Sequence, residues 1–270
     1  MASRDLHPAK CEAIRQWDEN PCGAIGEPQN TPQYWADIDH YRYVRYAPWM
    51  RTTFPYDAHH GRRILEIGVG LGTDLMQFAR GGSHCVGMDL SFRHLELTRQ
   101  RFRTAAVPVI LAQGDAEALP LADTSIDAVY AFGVLHHTPD LTTALAEIRR
   151  VLRPGGMLWI AVYNRHSFVM LYRLVVLGLL RGQLRHGWRR FLSTIEYRRD
   201  QASAVPLVRL YSRSALRHAL QDFDEVKIVV RHGMQVYGSE GLIKRWLKRA
   251  VAPVSPPFGW YLVAFARKRT

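Results

Sequence analysis

Acidic residues are scarce in the last two fifths of this sequence, cysteines are few, and no apolar run is long enough to span a bilayer. Each shortage excludes a class of protein. Residues 1–164 hold 16 Lys+Arg against 18 Asp+Glu, whereas residues 165–270 hold 20 against 6, so the net charge of +12 divides into −2 and +14. That asymmetry points the C-terminal part toward an anionic surface or ligand, or toward a solubilising arginine-rich exterior. Cys11, Cys22 and Cys85 form no zinc or disulfide spacing, which excludes a disulfide scaffold and fits a reducing compartment. The first thirty residues are polar, with Arg4, Asp5, Lys10, Glu12, Arg15 and Asp18 among them, unlike a secretory signal. A cytoplasmic location is expected. The most apolar stretch, within RHSFVMLYRLVVLGLLRGQL, runs about fourteen residues and is interrupted by Arg173, too short and too charged to span.

What the sequence does have is alternation between Arg62 and Asn164. RRILEIG reads as a strand, TDLMQFAR as a helix stopped by Gly81-Gly82, and HCVGMDL as the next strand. SFRHLELTRQRFRTAA follows as a helix opened by a serine cap, then VPVILAQGD and IDAVYAFG as strands. LTTALAEIRRVL is a helix stopped by RPGG, and MLWIAVYN is a fifth buried strand. The pattern predicts an α/β fold, a doubly wound and mostly parallel seven-stranded sheet with helices on both faces. One domain, residues 61–270, is expected behind an N-terminal lid segment, residues 1–60.

In such sheets ligands sit beyond the carboxyl ends of the strands. Gly68-x-Gly70-x-Gly72 follows strand one, where absent side chains let backbone approach a ligand and turn into a helix. Asp89 ends strand two, 21 positions past Gly68, the spacing at which an acid reaches both hydroxyls of a ribose. Asp115 follows strand three in QGDAEALP. The third glycine comes one residue too early for a dinucleotide loop, and no Gly-Lys-Ser/Thr follows to hold phosphates and magnesium. A ligand carrying adenosine without phosphate fits better.

These motifs resemble the class I S-adenosylmethionine-dependent methyltransferases, whose first motif, ExGxGxG, is matched by Glu66, Gly68, Gly70 and Gly72. The resemblance runs on through MDLS, QGDAEALPLADTSIDAVYAFGVLHH and VLRPGGMLWIAVYN, covers roughly residues 60 to 165, and is nearest the ubiquinone and menaquinone C-methyltransferase branch. It implies S-adenosyl-L-methionine as cofactor and a role for each matched position. Gly68 and Gly70 would border its amino-acid part, with a helix N-terminus suiting the carboxylate. Asp89 would take the ribose hydroxyls and Leu90 would pack on adenine. Asp115 would accept the adenine amino group, Ala116 would offer its amide to a ring nitrogen, and Phe132 and Gly133 would border the methionine moiety. The expected reaction is methyl transfer to an O, N or C atom of a small hydrophobic acceptor such as a quinone, lipid or polyketide-like compound. A nucleic-acid methyltransferase and a cofactor-binding protein doing other chemistry are the alternatives. Strand four ends AFGVLHH, without the (N/D)PP(Y/F) signature of base-amino methylation, so nucleic acid is not expected as a partner.

Candidate acid/base groups are His136 and His137 in GVLHHTPD, where a pKa near 6.5 suits proton transfer. Histidines there also line the pocket without moving a proton, and both readings stand. The N-terminal segment crowds Tyr34, Trp35, Tyr41, Tyr43, Tyr46 and Trp49 among His40, Arg42 and Arg45, and His40, Tyr43 and Arg42 are its candidates for substrate contact. Asp37 and Asp39 do not make a metal site, and none is expected. Two insertions follow strand five. That at about 165–211 is a lid, a lipid-dipping surface or a packing face. That at about 232–257 carries Lys244, Arg245, Lys248 and Arg249 around Trp246, suited to an anionic membrane or to a solvated helix.

Overall fold

The computed structural model describes residues 6–196, 204–232 and 256–270. Seven strands, β1 (Arg63–Ile67), β2 (His84–Asp89), β3 (Ile110–Gln113), β4 (Ile126–Phe132), β5 (Leu152–Tyr163), β6 (Phe223–Arg231) and β7 (Tyr261–Lys268), form one sheet ordered β3-β2-β1-β4-β5-β7-β6. β7 runs antiparallel to both its neighbours, and every other pairing is parallel. The helices are α1 (Pro8–Glu19), α2 (Pro32–His40), α3 (Met50–Thr53), α4 (Thr73–Arg80), α5 (Phe92–Thr104), α6 (Leu141–Val151), α7 (Phe168–Tyr172), α8 (Trp188–Ser193) and α9 (Arg213–Ala219).

The central strands are apolar on both sides because both sides are covered. Ile64, Ala128 and Tyr130 pack with Leu75 and Phe78 of α4 and Leu95 and Phe102 of α5. Their chain neighbours Leu65, Val129 and Ala131 pack the opposite way, with Leu141, Leu145 and Ile148 of α6 and Leu216 of α9. Alternate residues of single strands thus enter different cores, which is the doubly wound arrangement. Helix starts are fixed by side chains that accept otherwise orphaned amides. Ser91 caps α5 at the His94 N–H, and Asp140 caps α6 at the Thr142 and Thr143 N–H groups.

Two strand boundaries depart from the sequence reading. RPGG does not stand outside the strand: β5 begins at Leu152, and its pairing jumps from Ile126–Leu152 to Ala128–Met157, so Arg153–Gly156 forms a bulge. VPVILAQGD contributes only four residues of edge strand. α2 and α7 do not stop at their ends but continue as wider π-helical turns, Tyr41–Tyr46 and Arg173–Leu180, in which Ala47 N–H reaches Arg42 O and Arg181 N–H reaches Val176 O. The basic segment around Trp246 lies outside the described residues. Among the described residues no helix is long and apolar enough to cross a membrane.

Candidate active site

A cavity of about 670 Å³ opens over the carboxyl ends of β1, β2, β4 and β5, roofed by α1, the Tyr41–Tyr46 turn and the segment after β5. Its floor is the glycine loop. Gly68 has φ +72°, and a Cβ there would meet Val134 at 2.1 Å, so the β1–α4 turn needs glycine on both conformational and steric grounds. Gly70 has φ +55° and a Cβ would project into open space, leaving bare backbone facing the cavity. Its N–H donates to Asp89 Oδ2 at 3.0 Å and its carbonyl accepts from Thr98 Oγ1 at 2.8 Å, so the loop is held from both sides. Gly72 does not line the cavity. It sits behind the loop as the left-handed start of α4, where a Cβ would meet Thr98 at 2.8 Å.

Asp89 is buried at the end of β2, and burial alone would raise its pKa. The His94 imidazole beside it, with the Gly70 and Ser91 amides, instead holds the carboxyl below the ordinary range. His94 Nδ1 lies 3.1 Å from Asp89 Oδ2, while Nε2 accepts the Cys22 N–H at 3.2 Å. An imidazole accepting at Nε2 donates at Nδ1, so the neutral tautomer is fixed. The N-terminal segment is thereby linked through His94 to the carboxylate.

Asp115 lines the cavity beyond β3 but is already engaged. Lys10 of α1 reaches it at 2.5 Å and reaches Glu117 at 2.6 Å. Burial works against the Lys10 ammonium, yet hydrogen bonds to the two carboxylates keep its pKa raised. Asp115 Oδ1 accepts the Glu117 N–H at 2.9 Å. Leu90, Ala116, Phe132 and Gly133 also line the cavity. Glu66 is buried at its base, with Oε2 unpartnered among the described residues, and burial together with nearby Asp74 raises its pKa well above the usual carboxylate range.

Asp74 is the hub beneath the roof. Its two oxygens accept from Arg42 Nε at 3.3 Å, an Arg42 terminal nitrogen at 2.5 Å, Tyr43 Oη at 2.6 Å and Tyr130 Oη at 2.8 Å. Arg42 lies over the Phe132 ring at 4.3 Å and reaches the cavity. Two of the expected contact residues do not reach it. Tyr43 is buried with its hydroxyl committed to Asp74, and helical rotation turns the exposed His40 into a separate groove with Trp35, Arg51 and Arg80.

The two histidines lie with their rings 4.0 Å apart but differ in access to the cavity. His136 is fully buried, its ring 3.9 Å from that of Tyr163, with neither nitrogen hydrogen-bonded among the described residues; burial and His137 push its pKa well below 6.5. It does not face the cavity. His137 does, edge-on to Trp17 at 5.7 Å. Its Nδ1 lies 2.6 Å from the Leu207 carbonyl and so carries a proton, and its Nε2 lies 3.7 Å from Glu196 Oε1. One ligand atom each from His136, His137 and Glu196 lies within 4.8 Å of the others. A zinc tetrahedron with bonds of about 2.0–2.1 Å has edges of roughly 3.3 Å. The 3.7 Å between His137 Nε2 and Glu196 Oε1 is wider than that edge.

Aromatic rings wall the far end. Tyr163 stacks on Trp260 at 4.3 Å, Phe132 meets Tyr261 at 4.8 Å, and Tyr46 and Tyr261 share a hydroxyl hydrogen bond at 2.5 Å. Lys10, Trp17, Asp74, His94 and Glu196 were not singled out from sequence. Only Asp74, in the first turn of the helix read from TDLMQFAR, had a local signal.

Comparison with known proteins follows the same outline. A family profile described as a methyltransferase domain matches residues 65–160. The demethylmenaquinone methyltransferase of Thermobifida fusca is 34% identical over 139 residues, 51% of this chain and 57% of the relative. The ubiquinone biosynthesis O-methyltransferase of Hahella chejuensis is 32% identical over 142 residues, 50% of this chain and 59% of the relative. The chain spans about half the length of the curated relatives it matches. A solved S-adenosylmethionine-dependent methyltransferase from Methanosarcina mazei shares the fold, with TM-score 0.58 at 17% identity, covering 82% of this chain and 97% of the other. Residues 65–160 thus match the methyltransferase-domain family, and the fold is that of solved S-adenosylmethionine-dependent methyltransferases.

Proposed function

We propose that this chain transfers the methyl group of S-adenosylmethionine to a small hydrophobic acceptor of quinone, lipid or polyketide type. One observation carries the reading: a single cavity joins the glycine loop and two carboxylates at one end to an aromatic chamber at the other. The residues suit the cofactor. Gly70 leaves backbone open where a Cβ would intrude, and Asp89 is held ionised with lone pairs still available beside His94. When bound, the cofactor supplies a methyl on sulfonium, an already activated leaving group.

The chain's own contribution is orientation and proton handling. Phe132, Tyr163, Trp260 and Tyr261 offer flat apolar walls for an aromatic or isoprenoid body. In this reading His137 Nε2 takes a proton from an acceptor hydroxyl while Nδ1–H donates to the Leu207 carbonyl, and the Glu196 carboxylate would stabilise the imidazolium. Asp115 would release or share Lys10 to accept an adenine amino group. The three described cysteines are free thiols, in keeping with a reducing cytoplasmic setting.

The test is release of S-adenosylhomocysteine on incubation with quinol, phenolic and lipid acceptors. Binding heat with the cofactor and turnover with at least one acceptor are expected. No heat with S-adenosylmethionine would overturn the cofactor assignment. Heat with no turnover on any of these acceptors would overturn the acceptor class. For His137→Gln, kcat at saturating cofactor should fall by about 10²–10⁴-fold, and an unchanged kcat would make His137 a pocket wall.

A further inference from the structure

We infer that the α7–α8 insertion is a docking surface for an anionic lipid bilayer. From residue 165 to residue 195 the sequence holds six arginines and no acid. That bias alone would suit a solvated face, but the structure combines it with an apolar outer stripe. Val169, Met170, Leu174 and Leu177 turn inward and pack with Phe191 and Leu192 of α8. Other apolar residues of the segment turn outward. Leu171, Tyr172, Val175, Leu179 and Leu180 are exposed, Leu179 to 63% and Leu180 to 77%, and Trp188 opens α8 at 51%. Six of the twelve large exposed hydrophobic side chains among the described residues thus fall within 18 positions. Phe258, also exposed, extends the patch through a ring contact with Phe168 at 5.0 Å.

The charges complete the arrangement. Arg165, Arg181, Arg185, Arg189 and Arg190 are exposed in the same segment, whereas Arg173 points inward to Thr194 Oγ1 at 2.7 Å and lines the cavity. An outward apolar ridge with an aromatic residue and a rim of cations is the composition of an interfacial helix. A second copy of this chain would bring the same cations face to face. A surface rich in phosphate headgroups would meet them with opposite charge. The inward face of the same element walls the cavity, so a bilayer-resident acceptor would have a short route to the site. Only that consequence rests on the methyl-transfer reading; the docking surface itself does not.

The experiment is sedimentation of the full chain with phosphatidylcholine vesicles, with and without phosphatidylglycerol, in the absence of cofactor and acceptor. Binding to anionic vesicles, weakened by salt and much lower on neutral ones, is expected. Leu179→Glu/Leu180→Glu should abolish it. Arg189→Ala/Arg190→Ala should weaken it by about tenfold or more. Both variants should keep the wild-type melting temperature and cofactor binding heat. With brominated lipid, part of the tryptophan emission should be quenched in the wild type, and less in Trp188→Phe. Failure of the wild type to bind anionic vesicles, or undiminished binding by Leu179→Glu/Leu180→Glu, would overturn the inference. So would a wild-type dimer that this variant turns monomeric without any vesicle binding. Since cofactor heat is measured separately, either proposal can fail alone.

Discussion

Replacing Asp74 with Asn tests whether the roof of the cavity is held from below. The native carboxylate accepts four hydrogen bonds on two oxygens, from Arg42 twice, Tyr43 and Tyr130. Asn keeps the shape but offers one acceptor oxygen and turns an amino group toward donors. The Arg42 guanidinium, whose side chain is about a fifth exposed, loses its counter-charge. Breaking a buried pair by removing one partner costs about 3–5 kcal/mol, and the partial exposure of Arg42 places the expectation near 3. Against a total stability of about 5–15 kcal/mol that is a large fraction. Urea unfolding followed by tryptophan fluorescence and by circular dichroism should show a lower midpoint. Limited proteolysis should cut first within residues 41–53. Arg42→Met should cost a similar amount, and the double variant clearly less than the sum, because the second change removes the charge that the first left uncompensated. A loss below about 1 kcal/mol for Asp74→Asn, or simple additivity, would refute the hub.

Asp89→Ala should weaken cofactor binding by roughly 1.5–3 kcal/mol, the range for hydrogen bonds to a charged group, and calorimetry decides it. Gly68→Ala combines a left-handed φ with the 2.1 Å approach to Val134 and should cost about 2 kcal/mol or more in thermal unfolding. His232 is buried, and burial first, then Arg42, lowers its pKa from 6.5 to about 4. Since the folded state resists protonation, its contribution is intact above pH 6.5 and is lost as pH falls toward 4, by about 3 kcal/mol in full. Titrating stability from pH 7 to 4 in the wild type and in His232→Gln should show a shallower fall in the variant, and parallel curves would contradict the assignment.

The β/α core was legible because its signals are local. Alternating apolar runs, the Ser91 cap and the Gly81-Gly82 stop all act within a few residues. The glycine loop and the acids ending β2 and β3 were legible for the same reason. What holds the roof was not: Arg42 and Asp74 are 32 positions apart, Cys22 and His94 are 72, and Lys10 and Asp115 are 105. No periodicity reports such pairs. His40 and Tyr43 looked alike as aromatic neighbours of Arg42, yet three residues of helical rotation put one in solvent and the other against Asp74. Adjacent His136 and His137 have rings 4.0 Å apart, yet only His137 lines the cavity, His136 being buried against Tyr163.

The strand order carries a consequence for biosynthesis. β7 inserts between β5 and β6, and Trp260 and Tyr261 at its start form part of the cavity wall. A chain leaving the ribosome at about 5–20 residues per second therefore displays the glycine loop well before the aromatic chamber can close. Until residue 261 has emerged, β5 has a bare edge and the nascent chain has half a vessel. The glycine-loop end of the cavity and its aromatic end are thus completed at different times by topology alone.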